Sequence, residues 1–129
     1  MIKVLKEGLF STIQDSGRFG YKNIGVPVSG AMDQTSAKLA NLILGNDESA
    51  AVLEMTLLGP TLEFLNDTYI SITGADMNPL INKQKVLLNE TLLVKKGDIL
   101  CLAHSSNGMR TYLGIKGGFN SETTLGSKS

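Results

Sequence analysis

Asp15, Arg18, Asp33 and Asp76 are the residues of this chain best equipped for chemistry by type and setting, because each stands near a glycine-marked turn. A carboxylate in such a turn can act as a base or orient another group. A guanidinium offers a planar, permanently charged fork for a carboxylate or phosphate. Three of the four fall in one stretch, Gln14 to Asp33, reading QDSGRFGYKNIGVPVSGAMD. The same stretch adds Gln14, Ser29, Gly30 and Met32 as candidate substrate-binding groups. Hydrophobic periodicity stops there and resumes only beyond Asp33, so the segment reads as a binding loop rather than idle connection. Each candidate also has a plainer role. Asp15 can pair with Arg18 at a turn, Asp33 can cap the following helix, and Gly74-Ala75-Asp76 can be a tight turn at a strand end.

Other chemistries fit the residues less well. Cys101 and His104 could donate two metal ligands, but no third stands at useful spacing. Cys101 in an apolar strand reads as a core thiol, and His104 as a turn or surface residue. Gly17-Arg18-Phe19-Gly20 is neither a dinucleotide fingerprint nor a P-loop, and no strand–glycine–helix unit surrounds it. Ser29, His104 and an aspartate would complete a hydrolytic trio, yet Pro27-Val28-Ser29-Gly30-Ala31 lacks the nucleophile-elbow pattern.

The elements that must position these residues are mostly strands. Apolar alternation predicts strands at 1–5 and 9–13, and Pro27 predicts extended backbone through Val28. A helix is predicted from Gln34 to Leu44, with Asp33 as its N-cap and Gly45-Asn46 as its stop. Asn41 falls on the apolar face of that helix and needs hydrogen-bond partners, which the glycine loop beside it is expected to supply. Beyond the helix, short β segments are predicted at 52–57, 61–65, 68–73, 80–82, 85–88, 91–94, 99–103 and 109–115. The residues from Gly117 to Ser129 show no closing strand. Many short strands with one helix indicate an antiparallel barrel or sandwich.

Composition bounds the class. At 129 residues, 42% hydrophobic and 19% charged, the chain reads as one globular domain. Its 12 basic and 12 acidic residues balance, so electrostatics supply no reason to expect nucleic acid or an anionic membrane as partner. Neutrality also protects poorly against self-association. A single cysteine favours a reducing compartment. The opening MIKVLKEGLF has no signal-peptide core, and no apolar run approaches the ~20 residues of a membrane span. A cytoplasmic location is the resulting expectation.

Four segments in order, TIQDSGRFGYKNIGVPVSGAMD, LANLILGN, LEMTLLGP and ITGADM, resemble the biotin-dependent carboxyltransferase family. That family includes allophanate hydrolase subunit 2, KipA and the PxpC component of 5-oxoprolinase. The later KGGF and LGSKS resemble its GG and GSRS segment, with Lys128 where many members carry arginine. The resemblance covers essentially the whole chain and implies the N-terminal domain, residues 1–129, of a protein more than twice as long. It implies a mainly β, cyclophilin-like antiparallel barrel with one short helix. It also implies a KipI/PxpB-like partner, a LamB/YcsF (PxpA)-like partner, and ATP-dependent opening of 5-oxoproline to glutamate by the assembly.

In that setting Asp15, Asp33 and Asp76 are expected to handle a proton or position water. Gln14, Arg18, Ser29, Gly30 and Met32 are expected to hold the substrate. No metal and no intrinsic cofactor are expected, with ATP a co-substrate of the complex. Two alternatives accompany this expectation. One is a carboxyltransferase acting on urea or another small amide, with biotin delivered by another domain or chain. The other is a KipA-like protein that binds and antagonises a KipI-type kinase inhibitor. Taken alone, the 129-residue domain is expected to be inactive and to self-associate.

Overall fold

The computed structural model describes residues 2–8, 10–12, 28–120 and 124–127. Its elements in chain order are β1 (Ile2–Lys6), β2 (Phe10–Thr12), a 3-10 turn (Val28–Gly30), α1 (Gln34–Ile43), β3 (Leu53–Thr56) and β4 (Thr61–Phe64). They continue with β5 (Thr68–Gly74), β6 (Leu80–Ile81), β7 (Gln84–Lys85), β8 (Leu92–Val94), β9 (Ile99–Cys101), β10 (Arg110–Ile115) and β11 (Thr124–Ser127). Among the described residues the mainly β class with one α-helix therefore holds. The strands form a six-stranded sheet, β11-β1-β4-β9-β6-β7, and a five-stranded sheet, β2-β3-β10-β5-β8. Among the described residues these sheets remain separate, so the expected barrel is an open, two-sheet arrangement. No helix among them is long and apolar enough to cross a membrane.

Two expectations are corrected. The C-terminal residues do supply a strand: β11 pairs with β1 in parallel, matching Ile2 with Thr124, whereas every other described pairing is antiparallel. Thr124-Leu125-Gly126-Ser127 carries a weak β pattern, and only an available sheet edge makes it a strand. Val28, predicted extended, instead opens the 3-10 turn, which is closed by the Ala31 N–H donating to Val28 O at 3.0 Å.

Strand alternation sorts side chains between two layers. Ile70, Ile72, Leu113 and Ile115 point into the core between the sheets, where they meet Ile2, Leu62, Phe64, Met77 and Leu100. Each such burial contributes roughly 1.5–3 kcal/mol. Ser71 and Thr73 point the other way, toward α1. Their hydroxyls donate to Ala40 O and Ser36 O, both at 2.7 Å. The helix can lie this close because β10 presents Gly114. A Cβ there would come within 2.7 Å of Ser71 Oγ and 3.0 Å of Ala40 O.

The partners of Asn41 come from the far end of the helix, not from the glycine loop. Asn41 Nδ2 donates to Ala50 O at 2.8 Å and Glu48 O at 3.3 Å, and its Oδ1 accepts from Asn46 Nδ2 at 3.1 Å. Helix geometry explains this, since Asn41 is in the last turn and the chain doubles back beneath it. Cys101, expected in the core, is half-buried, with Thr61 Oγ1 3.7 Å from its sulfur. His104 is exposed at an isolated bridge to Leu58, in keeping with a surface residue.

Candidate functional site

The start of α1 and the adjoining end of the five-stranded sheet enclose a cleft of about 500 Å³. Met32, Asp33 and Ser36 form one wall, and Gly74, Ala75 and the Asn107–Arg110 segment form the other. The cleft thus joins the last residues of the Gln14–Asp33 stretch to the Gly74-Ala75 turn, two features far apart in the sequence.

The first wall is fixed from below by a buried polar strut. Glu54 on β3 and Tyr112 on β10 are neighbours in the ladder. Tyr112 OH donates to Glu54 Oε2 at 2.5 Å and accepts the Asp33 N–H at 2.8 Å. The Met32 N–H donates to the same Glu54 oxygen at 3.0 Å. Burial, reinforced by the hydrogen bond to Glu54, pushes the Tyr112 phenol above its ordinary range, so it stays a neutral donor. Hydrogen bonds to a buried carboxylate contribute about 1.5–3 kcal/mol, which suits a strut that must hold two consecutive backbone positions.

Asp33 caps the helix in the manner the sequence allows. Its Oδ1 accepts the Ser36 N–H at 3.0 Å, and its Oδ2 accepts the Ser36 hydroxyl at 2.7 Å. The backbone hydrogen bond from Ser36, followed by the hydroxyl one, lowers the pKa below the ordinary value of 3.8. The carboxylate is therefore ionised at neutral pH.

The second wall hangs on a loop clamped from both sides. Ser105 N–H donates to Leu57 O at 2.7 Å, and Leu57 N–H donates to Met109 O at 2.9 Å. Leu57 holds this position at φ 66, a left-handed conformation unusual for a branched residue and a form of stored strain. From the other side, Ser106 N–H donates to Asp76 O at 2.8 Å, and Asp76 N–H donates to Asn107 Oδ1 at 2.9 Å. Gly74, at φ 92, completes the clamp: a Cβ there would meet Arg110 O at 2.6 Å.

The candidates divide accordingly. Met32 and Asp33 line the cleft, and Met32 is 70% exposed. Ser29 and Gly30 are exposed in the 3-10 turn and do not line it. Asp76 stands just behind the second wall, its Oδ1 accepting the Asn78 N–H at 2.8 Å. Gln14, Asp15 and Arg18 lie outside the described residues.

Arg110 and Asn107 are functional candidates that sequence reasoning passes over. Arg110 falls within a predicted strand, and Asn107 in the turn before it. The available signal is an Asn-Gly-Met-Arg run at a strand mouth, of the same kind that singles out Arg18. Arg110 Nε is buried without a hydrogen-bond partner, a state that costs about 1–3 kcal/mol or more for a charged group. Among the described residues no three His, Cys, Asp or Glu side chains gather closely enough to hold a metal ion.

Residues 24–129 match the carboxyltransferase domain family, subdomain A and B. The chain is 36% identical over 129 residues to the C subunit of 5-oxoprolinase from Escherichia coli strain K12, covering 100% of this chain and 42% of that protein. It is 41% identical over 129 residues to urea amidolyase of Saccharomyces cerevisiae, covering 99% of this chain and 7% of that protein. The crystal structure of Kluyveromyces lactis urea carboxylase superposes with a TM-score of 0.77 at 42% identity, over 91% of this chain and 10% of that one. The chain therefore spans less than half the length of these relatives. The match over most of its residues, joined to the same two-sheet architecture, places this chain in the carboxyltransferase domain family.

Proposed function

We propose that this chain is part of the C subunit of an ATP-dependent 5-oxoprolinase, which opens 5-oxo-L-proline to L-glutamate with partner subunits. The observation that carries this reading is the match along 100% of the chain to C subunits from two bacteria, each at 36% identity. The cleft adds a polar pocket large enough for an amino-acid-sized ring. The partners in this reading are a KipI/PxpB-like and a LamB/YcsF (PxpA)-like subunit in the cytoplasm, and ATP is a co-substrate of the assembly.

The chemistry asks three things of the site. Water must add to the ring carbonyl, the C–N bond must break, and the departing nitrogen must gain a proton. Negative charge developing on the amide oxygen is stabilised by preorganised N–H donors and a guanidinium. Arg18 is the proposed holder of the substrate, together with Gln14, Ser29, Gly30 and Met32. Asp33, held ionised by its cap, orients the bound ring. Proton transfer then falls to Asp15 or Asp76.

Substituting Arg18→Ala in the full-length assembly is expected to raise KM for 5-oxoproline by about tenfold or more, the loss of one charge-assisted hydrogen bond to the ring's amide oxygen. Unchanged turnover in an ATP-dependent 5-oxoproline assay would remove that role.

A second reading is favoured by the 41% identity to urea amidolyase and the superposition on urea carboxylase. Here the domain is a carboxyltransferase acting on urea or another small amide, and biotin brings the carboxyl group from another domain or chain. Asn107, Met32 and Met109 line the cleft and would hold biotin's ureido ring. Inhibition by avidin separates the two readings, because only this one needs biotin.

A further inference from the structure

We propose that Arg110 and Asn107 form the carboxylate-binding end of the cleft. The proposal deepens the 5-oxoprolinase reading and rests on it for the identity of the ligand, 5-oxo-L-proline, a small ring bearing one carboxylate.

Arg110 is the one described residue with a guanidinium. It lines the cleft, and its Nε is buried with no acceptor. Its Nη1 meets only the neighbouring Met109 sulfur, at 3.9 Å. Among the described residues no carboxylate forms an ion pair with it. A guanidinium cannot shed its proton or turn acceptor, so a half-buried fork whose Nε is buried and unpaired calls for an anion from outside the fold.

Asn107 points to the same ligand by a separate argument. Its Oδ1 is held by the Asp76 N–H, which can only donate, so this atom must be the oxygen. The amide nitrogen is then left to donate elsewhere, and Asn107 lines the same cleft as Arg110. Two neighbouring side chains thus offer donors and no free acceptor. The loop that carries them is pinned by Leu57 and Asp76, so the donors are set before a ligand arrives. On the other wall, Asp33 stays ionised within its cap and repels a second carboxylate. The acid group of a bound ring is thereby directed to the Arg110 end, which leaves the ring amide toward Met32 and Asp33.

The test is titration calorimetry on the full-length protein assembled with its partner subunits, using 5-oxo-L-proline and its carboxylate-free counterpart 2-pyrrolidinone. The wild-type assembly is expected to bind 5-oxo-L-proline more tightly by about tenfold or more. Arg110→Gln is expected to weaken 5-oxo-L-proline binding by about 10–100-fold and to leave 2-pyrrolidinone binding unchanged. Arg110→Lys keeps the charge but not the fork, and is expected to fall between. If Arg110→Gln does not fold, Arg110→Lys and Asn107→Ala decide by the same preference. Equal binding of the two compounds by wild type, or an undiminished preference in the folded variants, overturns the proposal. A preference that depends on Arg110 in an assembly that does not hydrolyse 5-oxo-L-proline supports the carboxylate site while removing the 5-oxoprolinase reading.

Discussion

The five-stranded sheet has two faces built by different physics. Toward the six-stranded sheet it presents Ile70, Ile72 and Leu113 to a core of aliphatic side chains and Phe64. Toward the helix it presents Ser71, Thr73, Tyr112 and Glu54, each bonded to a defined backbone group or to one another. Apolar contact is non-directional, so the first face stabilises the domain without dictating the position of any one atom. Hydrogen bonds are directional and costly to leave unmade, so the second face fixes the register of α1 and the place of Met32 and Asp33. The cleft sits at the end of the polar layer, where position matters more than cohesion.

Breaking the apolar face is expected to have the largest effect on stability. Phe64 is fully buried, and Phe64→Ala is expected to destabilise the domain by about 3–5 kcal/mol. Urea denaturation would show this as a lowered midpoint. A loss below about 1 kcal/mol would mean that the inter-sheet core is not what holds the sheets together.

The polar face should yield less stability and more geometry. Tyr112→Phe removes the hydroxyl between Glu54 and the Asp33 N–H, leaving a buried carboxylate one donor short. The expected loss is about 1–3 kcal/mol. The comparison is sharpened by hydrogen exchange, which should speed up at the first turn of α1 and not in β4 or β9. Uniform acceleration across the domain would contradict a local positioning role.

The smallest effect belongs to the cap. Asp33→Ala is expected to cost about 1 kcal/mol, whereas Asp33→Asn, an equally good N-cap, should cost little at neutral pH. Because the folded-state pKa of Asp33 lies below 3.8, its contribution is fully present above that value and is lost as pH falls below it. The acid limb of the stability profile should therefore flatten below about pH 4 in Asp33→Asn relative to wild type. An unchanged acid limb would mean that the cap carboxylate is not linked to folding.

Much of the architecture was legible because local rules act on adjacent residues. Thr68–Gly74 alternates β-branched and polar positions, and the alternation alone separates Ile70 and Ile72 from Ser71 and Thr73. Asp33 before Gln34 is a helix start that needs no tertiary information, and the cap bond to Ser36 follows from it. β11 was not legible, since a weak β segment becomes a strand only when β1 offers an unpaired edge. The partners of Asn41 were equally hidden, because the helix hands its last turn to a returning loop rather than to the segment that precedes it.

By itself the sequence determined the mainly β class, the single helix with its Asp33 cap, and the family through its ordered motifs. Each of these depends on residue periodicity or on linear order. The tertiary structure alone decided that Met32 and Asp33 face Gly74 and Ala75 across one cleft. It also brought Arg110 to that cleft with an unpaired Nε, and it joined Glu54 and Tyr112 beneath the wall. These meetings span 22 to 79 residues of chain, as the Met32–Glu54 and Asp33–Tyr112 bonds show. No local pattern encodes them: they arise when sheet pairing sets β3, β10 and β5 side by side and the packing of α1 closes over them.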